Sequence, residues 1–265
     1  MYKNGMFGGA SDPSFFDLYG TPLFAYSLRD LRGDNPTVVT LRRSSDNAEQ
    51  SFTASQVQSG TPLTDFSGAN DLRVKIWHSQ VNGVGDVTSP TQSDEPYLVR
   101  NGVIESFNGN TSIRFRPVTS SNIVLPASYK DVAHNVYRIH FAQTRDYAYP
   151  DDSNIGNSNS GYTADDGNAS TFLFFNYGLP QLYVNGILET PSTRSEVFTA
   201  FGGTTTPVQI SIRGENVGTW VGDVRIGKSN VGGLFNGFIP EMVMYPSDVI
   251  NQDIVQNQID FYSIT

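Results

Sequence analysis

FAYSLRDLRGDNPTVVTLRRSSDNAEQ, residues 24–50, couples two apolar segments to a dense set of charges at fixed offsets. Phe24, Tyr26 and Leu28 alternate with Ala25, Ser27 and Arg29, the period of a half-buried strand. Residues 32–36 supply turn chemistry: Gly33 for positive φ, Asp34 and Asn35 for local side-chain bonds, Pro36 for a fixed φ. Residues 37–43, rich in β-branched side chains, predict a second strand. The charges beyond it, Arg42, Arg43, Asp46 and Glu49, read as a structural ion-pair set at a sheet edge and not as catalytic groups.

Working outward, the same alternation recurs. Residues 72–77, 136–143, 207–213, 218–226 and 238–245 predict strands, 171–177 a fully apolar one, and Asn101-Gly102 and Asn185-Gly186 are favoured two-residue hairpin turns. Residues 50–70 are polar and read as loop. Only the finish differs: Ile250, Ile254, Val255, Ile259 and Tyr262 fall at helical spacing within 248–263, which predicts one amphipathic helix lying on the core. Residues 1–22 mix Gly, Phe and Tyr without a period, and aromatics such as Phe15 and Phe16 mark an arm that packs on its own sheets or on a neighbouring subunit. No linker divides residues 23–265. The prediction is an all-β chain, a single jelly-roll β-sandwich with one C-terminal helix.

Composition agrees. In 265 residues only 16% are charged while 12% are aromatic, the balance of many short strands joined by turns. A formal charge of -9 argues against nucleic acid as a partner, since that affinity rests on Lys and Arg neutralising phosphates. With no cysteine there is no disulfide, thiolate metal site or Cys nucleophile. No apolar run suits a secretory leader or membrane insertion.

Glycoside hydrolysis needs two carboxyl groups about 5 to 9 Å apart, and Glu189, Asp223 and Glu241 are the carboxylates in predicted strands. His78, His134 and His140 follow no G-x-S-x-G elbow and share no metal spacing. The polar insertion at 149–170 offers Asp151, Asp152, Asn154, Asp165, Asp166 and Asn168 as oxygen ligands, without EF-hand spacing; calcium at the 151–168 loop is the weaker reading beside no cofactor at all. Trp77, Tyr147, Tyr149, Tyr162 and Trp220 are the aromatics suited to stack on a sugar ring at loop tips.

Residues 25–52, AYSLRDLRGDNPTVVTLRRSSDNAEQSF, resemble the start of the catalytic domain of the α-L-arabinofuranosidase B family, with its A-Y-S-L-R-x-L segment and x-R-R-x-S-D pattern. Three later stretches agree in order: VKIWHSQVNGVGDVTSPTQ at 74–92, PYLVRNGVIESFNGNTSIRF at 96–115 and GFIPEMVMYPSDVINQDIVQNQIDFY at 237–262. The resemblance implies a concanavalin A-like (LamG-like) sandwich, a module that also recurs in virion and tail proteins of bacteriophages. It departs at the chemistry. The family's vicinal Cys pair is absent, Ser170 and Thr171 stand where its nucleophilic Glu precedes an apolar strand, and Ile226, Gly227, Lys228, Ser229 and Asn230 stand near its acid Asp. The expectation is therefore a non-enzymatic bacteriophage virion protein located in the particle. It would be a fibre, decoration, head or tail-associated subunit that assembles with other virion proteins and with itself and binds host-surface polysaccharide. The alternative is a glycoside hydrolase of arabinofuranosidase type using Asp223 and Glu241.

Overall fold

Two burial patterns separate two antiparallel sheets. The computed structural model describes residues 12–116, 119–130, 134–142, 152–156, 161–164, 181–201, 206–215, 223–228, 234–249 and 251–265, with 134–142, 152–156 and 161–164 described through their backbone pairing. The first sheet runs Phe24–Ser27, Glu241–Pro246, His134–Ala142, Val208–Glu215, Gln181–Val184 and Ile187–Glu189. The second begins Glu49–Thr53, Thr37–Arg43, Leu72–Trp77 and then forks. One branch passes through Val87–Thr88, Ile123–Val124, Arg225–Ile226, Asp152–Gly156 and Gly161–Ala164. The other passes through Tyr97–Arg100, Arg114–Phe115 and Gly237–Phe238, which pairs with the far end of His134–Ala142 and so joins the sheets.

Between the sheets lies the main core, where Tyr26, Leu28, Leu41, Phe52, Val74, Trp77, Phe115, Ile212 and Met244 interlock with no more than 1% exposure. Fully burying side chains of this size contributes about 1.5–3 kcal/mol each.

The first sheet is covered on its outer side as well. Helix α1 (Phe15–Tyr19) and the C-terminal helix, α5 (Gln252–Phe261), place Phe15, Ile254 and Val255 against Ala25, Leu31, Val243 and Tyr245. A sheet buried on both faces has no polar side, and residues 24–27 and 241–245 are buried without alternation. The half-buried strand predicted for 24–29 is corrected for this reason. The described part of the arm, from residue 12, folds back on its own sheet; residues 1–11 lie outside the described residues.

Residues 50–70, expected as loop, hold the end of a strand and two short helices, α2 (Ala54–Ser59) and α3 (Thr61–Ser67). Thr53 N–H donates to Gln56 Oε1 at 2.9 Å, half of a capping box. Gly60, at φ +74, turns the chain between the helices, and Val57 and Leu63 are the apolar anchors. Ala54, Val57, Leu63 and Phe66 are the apolar contacts of these fourteen residues, split between two short helices, too few in each to register as a helical period. A fourth short helix, α4 (Arg194–Ala200), was likewise unforeseen. The 149–170 insertion, read as loop, contains the paired strands 152–156 and 161–164. No helix among the described residues is long and apolar enough to cross a membrane.

Candidate functional site

The second sheet keeps a polar outer side. Along its strands Leu72 and Val74 turn inward while Arg73 and Lys75 turn out, and Leu41 alternates with Thr40 and Arg42. Strand registers align these outward residues in two rows. Ser51, Thr40, Ile76, Thr88, Val124, Arg225 and Gly156 face one another strand by strand across the first branch. Glu49, Arg42, Arg73, Tyr97, Arg114 and Phe238 do so across the second.

The second row is knit together by cation–π contacts and ion pairs. Arg73 lies 4.9 Å from the centre of the Tyr97 ring and Arg114 4.7 Å from that of Phe238, both in cation–π geometry. Phe238 is sealed by Phe107 and Tyr262. Arg42 Nη2 reaches Glu95 Oε1 at 3.1 Å and Glu49 Oε1 at 3.5 Å, and Lys75 Nζ reaches Glu49 Oε2 at 2.6 Å. Burial pushes the Glu95 carboxyl up, against the pull of Arg42 and Arg73, whereas the hydrogen bond from Lys75 holds Glu49 down. One guanidinium thus bridges two carboxyl groups that their environments drive apart. The ion-pair set expected at the sheet edge is present, completed by Arg43, which grips Asp46 at 2.6 Å and stacks on Phe66.

The first row is open, with Ser51 and Thr88 exposed and Arg225 half-buried. At one end His78 bonds Thr40 and Asp86, each at 2.8 Å. At the other, Asp223 is exposed and lies 3.4 Å from Arg225 Nη2. Beside Arg225–Ile226, Gly227 adopts φ +87, and a Cβ there would overlap the Phe115 ring and the Ser121 carbonyl, so no side chain fits. A separate hollow of about 820 Å³ lies along α4, lined by Glu189, Thr190, Thr193 and Glu196 among others. The Glu196 carboxylate caps its own helix, accepting from Ser192 N–H at 2.6 Å and Thr193 N–H at 3.2 Å, which holds its pKa low.

The sequence-derived site residues fare unevenly. Trp77 is fully buried against Tyr26, with ring centres 5.8 Å apart, so it is core and offers no face to a sugar. Tyr147, Tyr149 and Trp220 lie outside the described residues, as does the side chain of Tyr162, and the calcium loop is described only as backbone within 152–156 and 161–164. Among the described residues no group of three or more metal-ligating side chains assembles. Glu241, a carboxylate of the hydrolase alternative, is corrected to a structural residue. It is fully buried beneath α5 and held by Arg29, Ser27, Gln258 and Tyr262. Asp223 remains on an accessible face. Sequence reasoning missed the outward row itself, because register across seven strands brings together residues from 40 to 225.

No family model and no curated protein matches the chain. Solved structures do. An arabinofuranosidase complexed with arabinofuranosyl-α-1,2-xylobiose superposes with a TM-score of 0.51 at 14% identity, over 94% of this chain and 63% of that one. A GH54 α-L-arabinofuranosidase mutant soaked with a nitrophenyl arabinofuranoside gives 0.50 at 13% identity, with the same coverage. The chain spans about 63% of the length of either neighbour. The expectation of a non-enzyme is corrected by these matches, which are arabinofuranosidases and so enzymes. It rested on the missing Cys pair and on residues 170–171 and 226–230 standing where the family's Glu and Asp stand, and of these 170–171 and 229–230 lie outside the described residues. At this identity the likeness establishes one thing: the chain has the β-sandwich fold of the arabinofuranosidases.

Proposed function

We propose that this chain is a glycoside hydrolase of arabinofuranosidase type, acting on a furanoside laid along the open row of the second sheet. The observation that carries the reading is the shared architecture over 94% of the chain. It is supported by the placement of Asp223, exposed beside Arg225 at the end of that row and four residues before Gly227. An exposed carboxylate beside a guanidinium suits the nucleophile or base half of a glycosidase pair. A virion setting, with other virion proteins and further copies of itself as partners and host-surface polysaccharide as the glycan, is carried by the sequence resemblance alone. Immunogold labelling of particles tests it.

The decisive assay is release of nitrophenol from aryl furanosides by wild type and Asp223→Asn. The expected outcome is turnover that falls by roughly 10²–10⁴-fold in the variant. Absence of turnover on every furanoside, or an Asp223→Asn variant as active as wild type, would overturn the assignment.

A further inference from the structure

The open end of the row carries an ordered hydrogen-bond chain that the glycosidic reading does not use. Ser51 Oγ and Thr40 Oγ1 are 2.8 Å apart, Thr40 Oγ1 and His78 Nε2 2.8 Å, and His78 Nδ1 and Asp86 Oδ2 2.8 Å. The second Asp86 oxygen accepts from Ser79 N–H at 2.9 Å, fixing the carboxylate. Two paired strands and the 78–86 segment that follows Leu72–Trp77 supply these groups, so their alignment is a product of register and not of one local motif.

Donor arithmetic sets the direction of the chain. A carboxylate only accepts, so the Nδ1 proton of His78 points at Asp86. In the neutral ring Nε2 is then an acceptor, and Thr40 must donate its hydroxyl proton to it. Thr40 oxygen is left to accept from Ser51. With the ring neutral, the two hydroxyl protons thus point from the exposed Ser51 toward the imidazole, which is the arrangement of a nucleophile, a base and a group orienting the base. Thr40 is 8% exposed and acts as the relay, whereas Ser51 sits on the edge strand and is open to solvent.

We propose that Ser51, Thr40, His78 and Asp86 form an acyl-transfer site that hydrolyses carboxylic esters. Ser51 oxygen bonds to the ester carbonyl carbon as its proton passes to Thr40 and the Thr40 proton passes to His78 Nε2; the carbonyl π pair moves onto oxygen. Collapse of that intermediate breaks the bond to the alcohol oxygen, which takes the proton back from His78 through Thr40. Water repeats the sequence on the acyl-Ser51 ester, releasing the carboxylic acid and restoring the hydroxyl. The sum is ester plus water giving acid plus alcohol, with no oxidant or reductant.

The test uses the full chain with para-nitrophenyl acetate and a fluorophosphonate probe. Wild type is expected to release nitrophenol and to carry the phosphonyl group on the peptide containing Ser51, located by mass spectrometry. Ser51→Ala should lose the label and lower the rate by roughly 10²–10⁴-fold. Thr40→Val removes the relay and should do the same, while Thr40→Ser keeps the hydroxyl and should retain most of the rate and the label. Because Ser51 is exposed, Ser51→Ala keeps the fold, which circular dichroism verifies. Wild type that takes up no label, a label on another residue, or Ser51→Ala hydrolysing as wild type would each overturn the proposal. Furanoside turnover is scored separately, so either activity stands or falls alone.

Discussion

Arg29 donates Nε and Nη2 to the Glu241 carboxylate, at 2.6 and 2.9 Å, across 212 residues of sequence. The pair lies beneath α5, where the guanidinium also stacks 4.3 Å from the Phe261 ring and donates to Asn257 at 2.8 Å. Ser27, Gln258 and Tyr262 fill the remaining acceptor positions of the carboxylate. A buried charge pair costs desolvation on both sides, so its net worth rests on this complete hydrogen bonding.

Replacing Glu241 with Gln leaves the Arg29 charge buried without its counter-ion, and a loss of about 3–5 kcal/mol in urea unfolding is expected. The double replacement Arg29→Met with Glu241→Met should recover most of that loss, because no lone charge remains. A loss below about 1 kcal/mol in the single variant would rule out the pair as a structural clamp.

The same pair makes a pH prediction. Burial alone would raise the Glu241 pKa; the charge and hydrogen bonds of Arg29, with those of Gln258 and Ser27, outweigh it and hold the group below its ordinary value of 4.5. A depressed folded value means the contribution is fully present above 4.5 and is lost as pH falls through the folded value. Wild-type unfolding midpoints should therefore drop on acidification below 4.5, more steeply than those of the Met–Met variant. Parallel curves for the two proteins would contradict the assignment.

At the surface, the Arg43 fork holds Asp46 by hydrogen bonds at 2.6 and 3.0 Å, aided by the Ala48 N–H, which brings the carboxyl down to about 2. Carbon-detected NMR titration should place the Asp46 midpoint there. Arg43→Gln should return it toward the ordinary 3.8; an unchanged midpoint would assign the shift to the backbone donor alone.

Gly227 gives the third structural test. A Cβ at φ +87 would overlap the Phe115 ring and sit 2.8 Å from the Ser121 carbonyl oxygen. Left-handed strain and overpacking together predict a loss of about 2–4 kcal/mol for Gly227→Ala. Because the residue borders Arg225 and Asp223, furanoside turnover should fall with it. A thermal midpoint equal to that of wild type would show that the backbone here has room to move.

Much of this molecule was legible before folding. Residues 24–50 announced two strands, a turn at Gly33 and Pro36 and the edge charges, which are all local chemistry, but not that Phe24–Ser27 and Thr37–Arg43 enter different sheets, the hairpin being made by Thr37–Arg43 with Glu49–Thr53. Asn101-Gly102 and Asn185-Gly186 did the same for their hairpins, with both residues of each pair at positive φ. The 252–261 helix showed its buried side through Ile254 and Val255. Helices α2 to α4 escaped notice because each is six or seven residues long and anchored by very few apolar side chains.

The site divides differently. The sequence by itself determined which residue types are present: no thiol, few cations, many hydroxyls, and carboxylates such as Asp223 and Glu241. Only tertiary structure decided their roles, because burial and strand register are long-range properties. Trp77 lost its surface to the core, Glu241 went under α5 to meet Arg29, and Ser51, Thr40, His78 and Asp86 came into one hydrogen-bonded line. Hydrogen bonds across strands fix neighbours that no sequence interval records.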